Sequence, residues 1–384
     1  MNTDLVNIIL GMKVRQARLE AKLTLSEFAQ RCQLSPSYIT EIEKGRKYPK
    51  TDKILKMAEV LDKSYDDLVS IKLEPSLQYL ESTLSSPLLQ QFPFEAFGVE
   101  TSTLVNLFTR APAKASALLH TIVDIGRQHD MKEEHFLRAA LRSYQEIQEN
   151  YFQEIEDAAV DFIRKFELED SLPPEKSRLE EIIQQDFRYQ IDCDRLAGHP
   201  SLAHYRSVYI NGRKPKLLLN SALKANQIKF ILARELGYQF LGLKERANTS
   251  APDQVDSFEQ VLNDFKASYF AGALLIPRTM ILEDLQEIFQ LNVWSAYRLL
   301  NLLDKYGVTP EMLLYRFSEL IPQFFGIRLH FHRFHRADDN YYLVKQLNMN
   351  RLMLPSGIAL NEHHCRRWLA IRLLRESTDA ATRQ

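Results

Sequence analysis

Apolar residues recur every three or four positions through most of the chain, which predicts a mainly helical protein. The first such stripe predicts a helix that ends near Lys22, and it consists of Leu5, Ile8, Ile9, Met12, Val14, Ala17 and Leu19. Four more short helices are predicted before residue 71. The first of these begins at Leu25. The other three are expected at Pro36 to Glu43, at Lys53 to Leu61 and at Ser64 to Val69.

Capping residues set the boundaries of these helices. Thr24 and Glu27 fit a capping box, in which each side chain bonds the backbone N–H of the other residue. Ser35 can cap the third helix, and Gly45 can end it in a left-handed conformation. A short helix, a tight turn and a second short helix form helix-turn-helix geometry, in which the second helix enters the major groove of DNA.

The residues of this segment resemble the lambda-repressor/Cro-type (XRE) family of transcription regulators. The resemblance is carried by Thr24 to Ala29, Leu34-Ser35, Ile39 to Arg46 and Pro49. It implies a five-helix DNA-binding domain over residues 1–71. The DNA-contacting positions that it implies, with the basic residues of the following turn, are Ser26, Ser37, Tyr38, Thr40, Glu41, Lys44, Arg46 and Lys47.

The distribution of charge supports a double-stranded DNA operator as the partner. The whole chain has a net charge of −1, but residues 12–56 contain eleven basic and five acidic residues. Phosphate contacts supply most of the sequence-independent affinity for DNA, and the turn from Lys44 to Lys50 is placed to make some. The alternative is a solvated basic face on a small helical domain. If the protein forms a homodimer, its operator should contain two symmetric half-sites.

Residues 72–149 are predicted to be a linker and helical connector. Prolines interrupt residues 72–93, where one short helix is expected at 77–84. Helices are expected at 102–109 and 113–128, followed by one long helix from Glu133 to Lys165. The aromatic face of this long helix suits either pairing with a second subunit or packing within its own chain.

Residues 150–300 alternate between helices and short strands, which predicts a small α+β domain. A helix is expected from Glu175 to Asp186, followed by strands at 187–191, 207–211 and 216–219. Asn211-Gly212 is a hairpin signal between the last two strands. Two further helices are expected at 225–241 and 256–275.

Two motifs in this region resemble the IrrE/ImmA family of zinc peptidases: Leu232 to Tyr238, and Phe270 to Pro277. The resemblance implies a zincin-like fold in which an H-E-x-x-H helix binds zinc. Here Glu235 is kept, but Arg234 and Tyr238 stand at the histidine positions, and Lys266 stands at the position taken for the third ligand. Arginine has no lone pair to offer a metal, so a degenerate site without catalytic residues is expected.

Two interpretations of this degenerate site remain open. Arg234, Tyr238 and Lys266 could converge in the former cleft and bind a phosphate or carboxylate. Alternatively, Arg234 and Lys266 could form ion pairs with Glu235 and Asp264. The partner expected for Glu235 is Lys266 or a neighbour on its own helix.

Residues 301–384 are predicted to be an α/β segment with a sensor role. Helices are expected at 290–305 and, behind an N-cap at Thr309, at 311–320; strands follow at 327–334 and 341–345. His330 and His332 should point to the same side of a strand, without a recognised metal spacing. The domain order, with Phe334 to Asn340 and Cys365 to Trp368, resembles RamB/PrpR-like regulators of short-chain acyl metabolism, which implies an acyl-CoA or carboxylate effector.

Composition limits the remaining classes of function. The three cysteines are far apart in sequence, which argues for reduced thiols and against a four-thiolate iron–sulfur cluster. No cofactor is expected. No run of apolar residues is long enough to cross a membrane, and Met1 to Asp4 lack signal-peptide features, so a cytoplasmic location is expected. The leading hypothesis is a one-component transcription regulator that is not an enzyme. The alternatives are a zinc metallopeptidase that cleaves a repressor, and a phage-type or antitoxin repressor that docks a partner protein.

Overall fold

The computed structural model describes most of the chain as two compact units, residues 1–140 and 141–384. The described residues are 3–70, 94–99, 103, 121, 133–196, 202, 204–250, 255–293, 295–337, 340–348, 369, 372–374 and 376. Apart from positions 103 and 121, the helices predicted at 77–84, 102–109 and 113–128 lie outside these residues, as does Cys365 to Trp368.

The first unit contains the five predicted helices. They are α1 (Thr3–Glu20), α2 (Leu25–Arg31), α3 (Pro36–Glu43), α4 (Thr51–Val60) and α5 (Tyr65–Val69), and a short 3₁₀ turn follows at Phe94–Phe97. The buried side chains of α1 to α5 form one core that includes Phe28, Ile39, Ile42 and Met57.

The predicted caps position α2 and α3. The Thr24 side chain accepts a bond from the backbone N–H of Glu27 at 3.2 Å, and the Glu27 carboxylate accepts one from the Thr24 N–H at 2.8 Å. The Ser35 hydroxyl accepts a bond from the Tyr38 N–H at 3.2 Å. Gly45 has a φ of +69°, as expected for a residue that ends a helix in the left-handed conformation. Local sequence signals therefore fix both helices of the helix-turn-helix.

A close approach of two backbones sets the path of α1 over the end of α3. A Cβ atom on Gly11 would lie 2.3 Å from the carbonyl oxygen of Ile42. Any larger residue at position 11 would therefore push α1 away from the second helix of the helix-turn-helix.

The second unit is built from helices around a small sheet. Its helices are α6 (Glu133–Ile147, which crosses from the first unit), α7 (Gln153–Lys165), α8 (Lys176–Gln185), α9 (Ala225–Phe240), α10 (Phe258–Leu275), α11 (Arg278–Phe289), α12 (Ala296–Tyr306) and α13 (Pro310–Phe325). The Thr309 side chain caps α13 by accepting a bond from the Met312 N–H, as predicted.

Two sheets complete this unit. The strands β1 (Gln190–Asp192), β2 (Ser207–Ile210) and β3 (Lys216–Leu219) form a sheet in the order β1-β3-β2. β1 runs parallel to β3, and β2 runs antiparallel to it, as the hairpin signal predicts. The strands β4 (His330–Ala337) and β5 (Asn340–Asn348) form a separate antiparallel pair. The fold class is therefore the predicted one, mainly helical with a small α+β region.

Two predicted helices are wrong in their extent. The long helix predicted from Glu133 to Lys165 is divided between α6 and α7, because Glu149 and Asn150 both adopt positive φ angles. The buried Asn150 side chain holds this break by bonding Gln145 at 3.1 Å and Ser318 at 3.4 Å. The helix predicted at 290–305 begins only at Ala296, as α12, and the preceding helix α11 ends at Phe289, before the predicted range.

One hydrophobic core runs from α7 to α13 and continues past residue 300 as far as Ile321. Helices α9 and α10 pack closely within it at Gly237. A Cβ atom there would lie 3.0 Å from the Phe270 ring and 3.1 Å from the carbonyl oxygen of Ala267. This contact brings the Arg234-to-Tyr238 face of α9 against α10.

Candidate functional site

Helix α3 and the turn after it carry most of the residues predicted to contact DNA. Ser26, at the start of α2, and Ser37, in α3, are exposed to solvent, as are Arg46 and Lys47 in the turn. The remaining predicted contact residues are partly buried: Tyr38, Thr40, Glu41 and Lys44. Exposed hydroxyls and basic groups beside a helix of this kind can contact base edges and phosphates.

Contacts within this surface fix several of its side chains. The Thr40 hydroxyl donates to the carbonyl of Pro36 at 2.9 Å, and Glu41 lies 3.7 Å from the guanidinium of Arg46. The Lys47 ammonium lies over the Tyr38 ring, 4.8 Å from its centroid. Lys47 is therefore held beside α3 by a cation–π contact, with its charge still exposed.

A buried ion pair supports this surface from behind and was not predicted from the sequence. The Arg18 guanidinium donates two hydrogen bonds to the Glu43 carboxylate, at 2.6 and 2.9 Å. Glu43 is the last residue of α3, so the pair ties that helix to α1. The two residues are 25 positions apart in the sequence, so neither helical nor strand periodicity could have identified them as partners.

In the second unit, Glu235 binds Arg246, which is neither Lys266 nor a neighbour on α9, the two kinds of partner that were expected. The guanidinium of Arg246 donates to both carboxylate oxygens, at 2.6 and 2.8 Å. The Tyr189 hydroxyl lies 3.4 Å from one of these oxygens, and Gln239 donates to that hydroxyl at 2.7 Å. The carboxylate that would act as general base in a zinc peptidase is therefore fully engaged with protein groups.

Arg246 is also held between two aromatic rings. Its guanidinium carbon lies 3.9 Å from the ring centroids of both Tyr209 and Tyr238. Burial by itself lowers the pKa of Arg246, but the hydrogen bonds and charge of Glu235 outweigh burial and raise that pKa above its usual value. This cation is therefore permanently charged.

Arg234 and Tyr238 meet at Asp264. The Tyr238 hydroxyl donates to the Asp264 carboxylate at 3.0 Å, and the Arg234 guanidinium lies 3.5 Å from the same oxygen. Burial and the neighbouring Asp264 raise the pKa of Tyr238 well above its usual value, so the phenol keeps its proton. The α10 residue that faces Arg234 and Tyr238, where the resemblance to zinc peptidases would place histidines, is thus Asp264.

Lys266 does not join this group. Residues two apart on a helix point in directions about 200° apart, so Lys266 and Asp264 cannot both face α9. In the described part of the chain, Lys266 forms no hydrogen bond or ion pair with Arg234, Glu235 or Asp264. The expected convergence of Lys266 with Arg234 and Tyr238 therefore fails, and the cation that enters the cleft is Arg246.

The residues of this cleft do not fit a zinc ion. The guanidinium of Arg234 has no lone pair, the Tyr238 phenol stays protonated, and the carboxylate of Asp264 is used by both. Among the described residues, no group of three His, Cys, Asp or Glu side chains is placed to hold a metal. His330 and His332 do lie on one face of β4, with their rings stacked at 5.9 Å.

Neither Asp264 nor Arg246 could have been identified from the sequence. Asp264 lies six residues before Phe270, whose ring lies against Gly237, and six residues turn an α-helix by about 600°, so the two side chains point about 120° apart. Helical spacing from the Phe270 motif points instead to Lys266, four residues before Phe270. Arg246 lies in the irregular segment after α9, where no periodicity gives a side chain's direction.

Comparisons with known proteins agree with both units. A helix-turn-helix family model matches residues 14–68, and the model of the IrrE N-terminal-like domain matches residues 196–318. Among solved structures, a Mycobacterium tuberculosis transcriptional regulator is similar at 17% identity and a TM-score of 0.43, over 61% of this chain and 66% of that one. This chain thus spans slightly less than two thirds of that regulator.

A search of curated proteins found no match. No helix among the described residues is long and apolar enough to span a membrane. The two family models show that the chain combines an XRE-type helix-turn-helix module with an IrrE-like domain.

Proposed function

We propose that this protein is a sequence-specific transcription regulator in which an IrrE-like domain has lost its peptidase chemistry. The observation that carries the proposal is the pairing of Arg234 and Tyr238 with Asp264, in a chain that also contains a helix-turn-helix with exposed polar and basic side chains. The assignment gives DNA binding to residues 1–71 and a connecting role to 72–149. The IrrE-like domain covers 150–300, and residues 301–384 sense a signal in the cytoplasm.

In this proposal, α3 reads the major groove of an operator. Ser37, Tyr38, Thr40 and Glu41 contact bases, and Ser26 at the start of α2 contacts the groove edge or a phosphate. Lys44, Arg46 and Lys47 neutralise phosphates and supply affinity that does not depend on sequence. A homodimer then binds two half-sites related by two-fold symmetry.

The second unit regulates this binding and does not cut a substrate. A metabolite effector of the acyl-CoA or carboxylate type would have to bind one of two DNA-binding states more tightly than the other. The Arg234 and Arg246 side chains already bind Asp264 and Glu235, so they do not offer a free pair of cations for such an anion.

The recognition surface is tested by selecting genomic fragments that the intact protein binds and then footprinting the Thr40→Ala/Glu41→Ala variant on the selected operator. The variant should lose its sequence preference but keep weak, salt-sensitive binding. Glu59→Ala, at an exposed position of α4, is a control that should protect the operator as the wild-type protein does. An unchanged footprint for the double variant would rule out α3 as the reading helix.

A second candidate is a phage-type or antitoxin repressor whose IrrE-like domain docks a partner protein. One observation favours it: the outer edge of β2 is covered by a short, strand-like segment of the chain, Asn248 to Ser250. The same edge could pair with an extended segment of another protein.

A further inference from the structure

The outer edge of the three-stranded sheet is covered by a segment that pairs with it as a peptide would. β2 is an edge strand, since the sheet order is β1-β3-β2. The N–H of Tyr209 donates to the carbonyl of Asn248 at 2.6 Å, and the N–H of Ser250 donates to the carbonyl of Ser207 at 3.0 Å. Val208 and Thr249 form the antiparallel bridge between these bonds. The unpaired side of the strand is thus satisfied by main-chain bonds, which do not depend on side-chain identity.

The same segment supplies the side chain that fills the adjacent pocket. Arg246 lies two residues before Asn248, and its guanidinium enters between the rings of Tyr209 and Tyr238 to bind Glu235. The side chain of Glu235 is 1% exposed and that of Arg246 is 9% exposed. One strand-like segment therefore combines edge pairing with a single anchoring side chain.

The pocket and its occupant belong to different parts of the fold. Glu235 and Tyr238 lie on α9, Tyr209 lies on β2, and Tyr189 directly precedes β1. Arg246 and the paired residues lie on the irregular connection between α9 and α10. The receptor side is thus built on regular elements that pack into the core, whereas the occupant is a short extended stretch.

The chemistry of the pocket selects arginine. Two hydrogen bonds from one planar guanidinium reach both oxygens of Glu235, and two rings stack on the faces of that plane. A lysine ammonium is a point charge and cannot make the same bidentate, stacked contact. An empty pocket would leave the Glu235 carboxylate buried without its cation, which is strongly unfavourable.

We propose that the β2 edge and the Tyr209–Glu235–Tyr238 pocket form a binding site for an extended, arginine-bearing peptide segment of a partner protein. The chain's own Arg246-to-Ser250 segment fills this site as an internal ligand. A partner segment with an arginine two residues before its paired stretch displaces the internal one. The site does not depend on operator binding, so it can stand or fall separately from the DNA-reading role.

The test uses the full chain with Arg246→Ala and a fluorescein-labelled peptide that copies residues 244–250, with no DNA present. Fluorescence anisotropy should show the peptide binding the variant at least about tenfold more tightly than the wild type, because removal of one charged hydrogen-bonding partner costs about 1.5–3 kcal/mol. The same peptide with lysine in place of its arginine should bind at least about tenfold more weakly. Equal binding of both peptides, or no binding to the folded variant, overturns the proposal.

Two further variants keep the test decisive. If Arg246→Ala does not fold, Arg246→Lys takes its place, since it keeps a positive charge beside Glu235 but cannot make the bidentate contact. Arg246→Lys should also bind the arginine peptide more tightly than the wild type, and failure to do so contradicts the proposal. Arg246→Ala/Glu235→Gln removes both charges and should not distinguish the arginine peptide from the lysine peptide. Operator footprinting on the same samples shows separately whether the DNA-reading role holds.

Discussion

Arg18 and Glu43 form a bidentate ion pair inside the first unit, with N–O distances of 2.6 and 2.9 Å. The same guanidinium donates a third bond, at 2.8 Å, to the carbonyl of Leu23 in the turn before α2. One side chain of α1 therefore contacts both the end of α3 and the entrance to α2. The orientation of the helix-turn-helix depends on this buried charge pair as well as on the apolar core.

Replacing Arg18 alone should destabilise the first unit strongly. Arg18→Ala leaves the Glu43 carboxylate buried without a partner, at an expected cost of about 3–5 kcal/mol. The measurement is denaturant unfolding of the full chain, with hydrogen exchange of the α1 and α3 amides to locate the loss. Arg18→Met/Glu43→Leu, which removes both charges, is the matched control and should lie much closer to wild type. Equal losses in both variants would show that the packing of these side chains matters more than their charges.

Restoring histidines should test which residue of α10 faces the former metal site. We expect purified wild-type protein to hold no stoichiometric zinc, whereas Arg234→His/Tyr238→His should gain zinc affinity because two imidazoles then stand beside Asp264. Zinc content after dialysis, with a chelator competition, measures the gain. Adding Asp264→Asn should abolish it.

Lys266 provides the control for that experiment. Arg234→His/Tyr238→His/Lys266→Glu supplies a carboxylate at the position that motif alignment suggests. If the triple variant binds zinc much more tightly than the double variant, Lys266 faces the site and the role given to Asp264 is wrong. Similar affinities agree with the pairing of Arg234 and Tyr238 with Asp264.

Local signals in the sequence predicted the features that depend on neighbouring residues. The capping box of Thr24 and Glu27 and the caps at Ser35 and Thr309 all occur as expected, because each is a contact over three residues. Strand β3 begins and ends where a short apolar run and its flanking turn residues place it. These features require no knowledge of the tertiary fold.

Contacts between distant segments could not be predicted in the same way. The break between α6 and α7 depends on a bond from Asn150 to Ser318, 168 residues later, and the polar pattern around Asn150 is compatible with a continuous helix. The partner of Glu235 is likewise set by the path of an irregular segment to Arg246. Sequence motifs thus identified the cleft but not the cation that fills it.

Lys47 should contribute phosphate affinity without reading sequence. Lys47→Ala removes an exposed charge held over Tyr38, so binding to operator and to unrelated DNA should weaken by similar factors. The slope of log affinity against log salt should become shallower by about 1. Anisotropy titrations at four KCl concentrations measure both effects. The control is Lys63→Ala, in the turn between α4 and α5, where the Lys63 ammonium lies 3.7 Å from the Glu20 carboxylate. This substitution should leave the slope unchanged. Loss of operator binding alone would instead give Lys47 a role in base recognition.

A second buried charge cluster gives the second unit a pH-dependent stability. The fully buried guanidinium of Arg316 donates to Glu156 at 2.6 and 2.9 Å and to Glu319 at 2.8 Å. Burial by itself raises the pKa of Glu156, but the charge and hydrogen bonds of Arg316 outweigh it and lower that pKa, and the Tyr269 hydroxyl also donates to Glu156. Burial raises the pKa of Glu319 to about 8, against the attraction of Arg316 and the more distant Lys345. One cation thus serves two buried carboxyl groups, and Glu319 keeps its proton at neutral pH.

Glu319→Gln should therefore change how stability depends on pH. The pKa of Glu319 rises from 4.5 to about 8 on folding, so between these values the folded state holds a proton that the unfolded state has lost. Between these two pH values, the contribution of Glu319 to the free energy of unfolding falls as pH rises, by up to about 1.4 kcal/mol per pH unit. Above the folded pKa this contribution has been lost completely. Glutamine mimics the protonated form and removes this term. The unfolding free energy of the variant relative to wild type should rise from pH 5 to 8 and then level off in denaturant titrations. Glu311→Gln, at a more accessible carboxylate of α13 paired with Arg333, is the control. If the Glu319→Gln profile runs parallel to wild type throughout, Glu319 is ionised in the folded protein.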